Sequence, residues 1–191
     1  VYFFPELRQY LQCTYPKLQI ELTVDSSPNL MQSIAKKQID LAIGVNLCDM
    51  NHANSEFFLL FEDRYAFYVS SSIEEREESL PLIIHPRASD QKGMMIETSL
   101  RRLLVRHGAH RVFNFETIKT LTILGLGIGV LPTQVAKPLI GQRQLRSAQL
   151  SKVKSHFGLH NIGFLISKDF LENHDEFAQD LYRLGDRWTK T

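Results

Sequence analysis

Hydrophobic and polar positions alternate between helical and strand periods along the first third of the chain. Pro5 suits the first turn of a helix, and Leu7, Tyr10 and Leu11 then share one helical face. Tyr15-Pro16 ends that helix, because a residue before proline avoids the α region. The run Leu18-Gln19-Ile20-Glu21-Leu22-Thr23-Val24 is strictly apolar/polar and predicts a strand. Ser27 suits a helix cap, with Pro28 at the first helical position. Leu30, Met31, Ile34 and Ala35 form the buried stripe of that helix, and Lys36-Lys37 lie where cations favour its C-terminus. Ile39 to Ile43 reads as a buried strand closed by Gly44. Strand, helix and strand on short connections predict a βαβ unit, hence a parallel sheet.

Further along, Phe57 to Phe61 and Tyr65 to Val69 are strand-like, and Ser70 to Ser79 is an acidic loop or short helix. Leu82-Ile83-Ile84 predicts a short buried strand. Met95, Ile96, Leu100, Leu103 and Leu104 then mark a helix capped by Gly108. Arg111 to Phe115 reads as a strand, and Thr117 as the cap of a helix carrying Ile118, Leu121 and Leu124. Gly125 to Pro132 is a tight turn into a buried strand, and Thr133 to Lys137 a short helix. Asn161 to Ile166 is a strand. From Asp169 an amphipathic helix places Phe170, Phe177, Leu181, Leu184 and Trp188 on one face. The fold class is α/β. With no Gly/Ser-rich linker, any two lobes are joined by short crossovers.

Composition narrows the function. Of 191 residues, 43% are hydrophobic and 23% charged, enough apolar side chain to fill a core and exclude disorder. Lys+Arg is 22 and Asp+Glu 21, a formal charge of +1, which argues against a nucleic-acid-binding module. Two cysteines cannot make a disulfide framework. No apolar run reaches the roughly 18 residues that a membrane span needs. The start, Val1 to Glu6, lacks a signal-peptide pattern and an initiator Met, so the chain reads as a piece of a longer, cytoplasmic protein.

No G-x-S-x-G, H-E-x-x-H or P-loop is present, and no enzyme activity is expected. Gly125, Gly127 and Gly129 follow a helix in a G-x-G-x-G spacing, so they point to positive φ and close backbone approach instead of dinucleotide binding. Gly108 separates His107 from His110, with no acidic or thiol ligand nearby, so no metal or other cofactor is expected. Cys13 and Cys48 read as small buried hydrophobes.

Five stretches, in order, are similar to one family. They are Pro5-Glu6-Leu7 through Tyr15-Pro16-Lys17-Leu18 to Leu22; Asp25-Ser26-Ser27 to Leu30; Lys37-Gln38-Ile39-Asp40-Leu41-Ala42-Ile43; Phe115-Glu116-Thr117 to Leu124; and Gly125-Leu126-Gly127-Ile128-Gly129-Val130-Leu131-Pro132. Together the chain resembles the C-terminal effector-binding domain of LysR-type transcriptional regulators. The resemblance implies two lobes of the type II periplasmic-binding-protein kind, residues 1–65 plus 167–191 and residues 66–166, with a small-molecule effector in the cleft between them. It implies DNA contact only through an N-terminal helix-turn-helix domain absent from this chain, and no membrane association. It also implies a homodimer or homotetramer pairing lobe I against lobe II, with Leu7, Gln9, Tyr10 and the helix after Asp25 as partial interface. Effector binding would then change the spacing of the DNA-binding domains. The family's domain opens with a short strand before the first helix, and this chain starts after it. A periplasmic solute-binding protein of a transporter, which would need an export signal, and an enzyme on the same fold are the alternatives.

In open α/β sheets, ligands sit where strand ends meet helix N-termini. This selects Ser26, Ser27 and Asn29, then Gly44, Val45 and Asn46, in the first lobe. In the second lobe it selects His85, Arg87 and Ser89, then Glu116, Thr117 and Ile118. Arg87 suits a bidentate clamp on a carboxylate effector, or else a solvated surface charge. Ser27 and Thr117 equally suit plain caps, and His85 a hydrogen-bonded loop histidine. Tyr2-Phe3-Phe4 suit packing against the first lobe more than stacking on a ligand.

Overall fold

The computed structural model describes residues 4–45, 47, 54–74, 77–86, 105, 108–150 and 156–188. The chain divides into two compact units, Val1–Phe61 with Ile162–Thr191, and Glu62–Asn161. The divisions lie a few residues before the expected ones, inside the uninterrupted strands β2 (Ser55–Ser70) and β7 (His156–Ser167). The backbone stays in strand conformation through both points. The two strand-like stretches at 57–61 and 65–69 are therefore one strand.

In the first unit, α1 (Phe4–Thr14) buries Leu7 and Leu11 and stops before Tyr15-Pro16. Leu7 is thus core, while Tyr10 is half-buried and Gln9 exposed; in the helix after Asp25, Pro28, Asn29 and Gln32 are exposed too. Helix α2 (Ser27–Ala35) buries Met31 and Ile34, while Ala35 is exposed. Strand β1 (Leu41–Val45) pairs antiparallel with β7, Leu41 opposite Ile166 and Val45 opposite Ile162, and Gly44 lies within the strand. Strand β7 in turn neighbours β2. Side chains alternate across the sheet. Phe164, Ile166 and Leu60 pack with Leu7, Leu11, Leu181 and Leu184 on one face, and Ala42 and Leu165 pack with Met31, Ile34 and Leu47 on the other.

Residues 18–24 belong to no helix and pair with no described strand. Leu18, Ile20, Leu22 and Val24 are 40%, 39%, 55% and 70% exposed. The alternation is present and the ladder is not, because a strand exists only through a neighbour's hydrogen bonds. The expected parallel pair across α2 is therefore missing among the described residues.

The C-terminal segment forms two helices, α5 (Lys168–Asn173) and α6 (Asp175–Trp188), where one was expected. Leu181 and Leu184 are buried, and the Trp188 side chain lies outside the described residues. The Tyr15 hydroxyl donates to Asp180 at 2.8 Å, tying the end of α1 to α6. Lost hydration, then the hydrogen bond and charge of Asp180, push the Tyr15 phenol up to about 12.

In the second unit, β2 pairs antiparallel with β5 (Ile128–Pro132) and with β6 (Leu145–Ser147). Strand β3 (Leu82–Ile84) runs parallel to β5 and to β4 (Ala109–Arg111). Tyr65, Phe67, Leu82, Ile84, Ile128 and Val130 form one core cluster. Helix α3 (Phe115–Ile123) starts where a strand was expected to continue, and α4 (Thr133–Gly141) follows β5 directly. The acidic segment holds a short 3₁₀ turn at Glu77–Ser79. The Met95–Leu104 helix lies outside the described residues. Its expected cap, Gly108, has φ +67°.

The three spaced glycines divide their work. Gly125 takes φ +75° in the turn. A Cβ on Gly127 would lie 2.5 Å from the Pro81 carbonyl oxygen, and one on Gly129 would collide with the Thr122 side chain of α3. These two sites need glycine for close approach, not for positive φ.

Asp63, at 4% exposure, holds α4 in place. Its Oδ1 accepts from the Thr133 backbone N–H at 3.1 Å and from the Thr133 hydroxyl, and its Oδ2 accepts from Gln134 N–H at 3.3 Å. Pro132, the N-cap residue, supplies no side-chain cap, so a carboxylate from the neighbouring strand does so and complements the helix dipole. The His160 ring, also buried, lies tilted at 39° against Tyr65 with centroids 4.9 Å apart and has Nε2 4.0 Å from Asp63 Oδ2.

Asp63→Ala leaves these donors unmet, and urea denaturation is expected to show a loss of about 1–3 kcal/mol. For Tyr15, the folded value near 12 exceeds the ordinary 10. Its contribution is therefore complete below pH 10 and lost as pH rises through 12. Stability of the wild type should fall more steeply than that of Tyr15→Phe as pH rises above 10. Equal slopes would refute the coupling.

Candidate functional site

The first unit's candidate residues gather at two points. At the end of β1, Gly44 and Val45 are half-buried, and a Cβ on Gly44 would touch Leu47 at 3.3 Å. Asn46 lies outside the described residues. At the start of α2 the cap is Ser26, extended at φ −70° and ψ 149°, with Ser27 the first helical residue. The expected cap at Ser27 is thus one residue late. Pro28 still falls within the first turn, where a missing N–H costs nothing. Ser26 makes no side-chain cap. Asp25 folds over the helix start instead, its Oδ1 accepting from Ser26 N–H at 2.6 Å and from Asn29 Nδ2 at 2.7 Å. The Ser26 amide and then the Asn29 side chain hold the Asp25 carboxyl below its usual range.

In the second unit, β3 leads into His85, which is half-buried. Its Nε2–H donates to the Phe113 carbonyl at 3.1 Å, and its ring lies against Phe115 with centroids 5.3 Å apart. His85 thus bridges the end of β3 to the start of α3. Arg87 and Ser89 lie outside the described residues. Helix α3 is capped by Asn114, whose side chain accepts from Glu116 N–H at 2.7 Å. Thr117 is not the cap. It is the third helical residue, and it is exposed. Reading Arg111 to Phe115 as a strand hid Asn114, although asparagine followed two residues later by glutamate is a helix-start signal.

Ile118 is fully buried, and its N–H donates to Asn114 O at 3.1 Å, so it supports the turn from the core and offers a ligand no surface. The Phe115 and Thr117 amides make no hydrogen bond among the described residues. Both helix starts carry an acidic residue: Asp25 before α2, and Glu116 in the first turn of α3, paired with Lys119 at 2.7 Å. An anionic ligand at either end needs a further cation, and Arg87 is the sequence's candidate.

Cys13 is exposed, not buried as expected, and Cys48 lies outside the described residues. Among the described residues no group of three His, Cys, Asp or Glu side chains could hold a metal ion, and no helix is long and apolar enough to cross a membrane. Tyr2 and Phe3 lie outside the described residues, and Phe4 is half-buried.

The chain is thus α/β and folds as two units, with helix starts following its strand ends. The family described as "LysR substrate binding domain" matches residues 1–162, and the chain belongs to that family. It is 26% identical over 160 residues to the uncharacterized HTH-type transcriptional regulator YeiE of Escherichia coli K12, covering 80% of this chain and 52% of that protein. The chain thus spans about half the length of the curated relatives it matches. Full-length OxyR C199D from Pseudomonas aeruginosa superposes with a TM-score of 0.69 at 16% identity, over 96% of this chain and 63% of that one. An OxyR mutant from Porphyromonas gingivalis gives 0.65 at 18% identity, over 98% and 87%. These structures show the fold. Family membership sets aside the transporter solute-binding reading.

Asn114→Ala is expected to cost about 1 kcal/mol in denaturant midpoints, as a lost helix cap does. Thr117→Ala should cost less than about 0.5 kcal/mol, as an exposed substitution does. The reverse order would place the cap at Thr117.

Proposed function

We propose that the chain is the effector-sensing part of a cytoplasmic DNA-binding transcriptional regulator. The family match over residues 1–162 carries this reading, and the HTH-type regulators among the relatives support it. DNA contact belongs to a helix-turn-helix segment upstream, and the protein works as a homodimer or homotetramer. Effector binding alters the geometry of that assembly, which requires different affinities for its two states.

The effector is a small carboxylate. Its contacts are Ser26, Ser27, Asn29, Gly44 and Val45 from the first unit, and His85, Arg87, Ser89 and Thr117 from the second. The Phe115 and Thr117 amides, which meet no partner among the described residues, support an anion. Asp25 and Glu116 oppose one, so Arg87 is the group on which the charge balance turns.

A carboxylate panel screened by thermal shift on the full-length protein should yield a ligand that raises the midpoint by several degrees at about a hundred times its Kd. Arg87→Ala should weaken that ligand by roughly ten-fold or more, the value of one charge-assisted pair. Unchanged affinity would remove the clamp. A coding sequence with no helix-turn-helix segment upstream would sink the regulator reading.

A further inference from the structure

Two phenylalanines flank the cap of α3, and they differ in burial. Phe115 is half-buried and packs against the second unit's core, its ring 6.2 Å from that of Tyr65. Phe113 is 79% exposed. One apolar side chain on a surface is ordinary, but the place of this one is not. His85 stands one residue past the end of β3, and Phe113 two residues past the end of β4. These strands are parallel, so both residues lie at a shared carboxyl end, where open α/β sheets bind ligands. Nor is the exposure that of a loose loop. Val112 N–H donates to the Ile84 carbonyl at 3.0 Å, His85 Nε2–H donates to the Phe113 carbonyl at 3.1 Å, and the Asn114 side chain caps α3. The backbone is held before, at and after Phe113, and the ring is still presented to solvent. Its one ring neighbour among the described residues is His85, met edge to face with centroids 6.2 Å apart at 77°. His85 in turn lies against Phe115 at 5.3 Å and 32°. The three rings adjoin one another, and Phe113 is the outermost.

We infer that Phe113 determines specificity at the candidate effector site, and that the effector it selects carries its carboxylate on an aromatic ring, as benzoate does. This assignment rests on the effector being a carboxylate, as proposed above, and adds the chemistry of the rest of the molecule. A flat ring laid on Phe113 removes the exposed faces of both partners from water. It also gains the offset or edge-to-face contact that aromatic pairs favour beyond their buried area. A saturated ring of the same size buries similar area without that contact, and a short aliphatic carboxylate leaves Phe113 in solvent. The hydrogen bonds around Phe113 set its position before any ligand arrives, so little ordering cost falls on binding. His85, half-buried beside it, limits where the guest ring can lie.

The test uses the full-length protein with benzoate and cyclohexanecarboxylate as probes, which share a carboxylate and a six-membered ring and differ in aromaticity. Isothermal calorimetry should show benzoate binding the wild type roughly three- to ten-fold more tightly, the range of an aromatic pair beyond its area. Phe113→Leu should remove this preference by weakening benzoate, with cyclohexanecarboxylate changed less than about two-fold. Phe113→Tyr should retain it. Without ligand, Phe113→Leu should melt within about a degree or two of the wild type, as an exposed substitution does. Equal affinities for the two probes in the wild type, or a preference that survives Phe113→Leu, would overturn the assignment. So would a Phe113→Leu protein that is strongly destabilised or unfolded, because the ring would then be covered by the chain itself. Succinate serves as the acyclic control. If succinate binds and depends on Arg87 while benzoate does not bind, the aromatic assignment fails and the carboxylate reading stands. If none of the three carboxylates binds saturably, the carboxylate reading itself fails.

Discussion

Both units are built on the same two strands. Strand β2 supplies Ser55–Phe61 to the first unit and Glu62–Ser70 to the second, and β7 runs through both in the same way. Each strand must therefore satisfy two cores along one uninterrupted backbone ladder. The residues do so in turn. Leu60, Phe61, Phe164 and Ile166 belong to the first unit's core, and Tyr65 and Phe67 to the second's. Just past the division, Asp63 and His160 place polar groups in the interior. The Asp63 carboxylate earns its burial by capping α4, whose own N-cap residue is a proline.

The candidate sensing residues depend on this scaffold without being part of it. Strand ends deliver Gly44, Val45 and His85, and the turns that follow deliver the starts of α2 and α3. Each turn is closed by a short polar side chain, Asp25 in one case and Asn114 in the other. These side chains accept from the Ser26 and Glu116 amides. Their charges differ, and the difference matters for an anion. Asn114 is neutral and Glu116 in the same turn is paired with Lys119, whereas at the start of α2 the closing side chain, Asp25, is itself the negative charge.

Much of this was legible in the residues, and the failures have identifiable causes. The stop at Tyr15-Pro16, the short strand at Leu82–Ile84 and the turn at Gly125 follow from proline, β-branched and glycine stereochemistry, which act locally. The cap of α3 was misplaced because Arg111 to Phe115 has strand-like composition, and this masked Asn114. Cys13 was read as buried, yet a helix has an outer face and cysteine's small size does not choose between faces. The 18–24 segment shows the limit of periodicity. Its alternation is as regular as any in the chain, and it pairs with no strand among the described residues, with Val24 at 70% exposure.

By itself the sequence determined the order and type of most elements, the α/β class and the family, because backbone stereochemistry and hydrophobic period are written in neighbouring residues. The tertiary structure alone decided matters that depend on residues far apart in the chain. It joined two predicted strands into β2, set β1 antiparallel to β7, and assigned Asp63 to cap a helix 70 residues further on. It turned Ile118 into the core, and it left Phe113 outside. Burial and register are properties of what packs against a residue, and sequence spacing does not contain them.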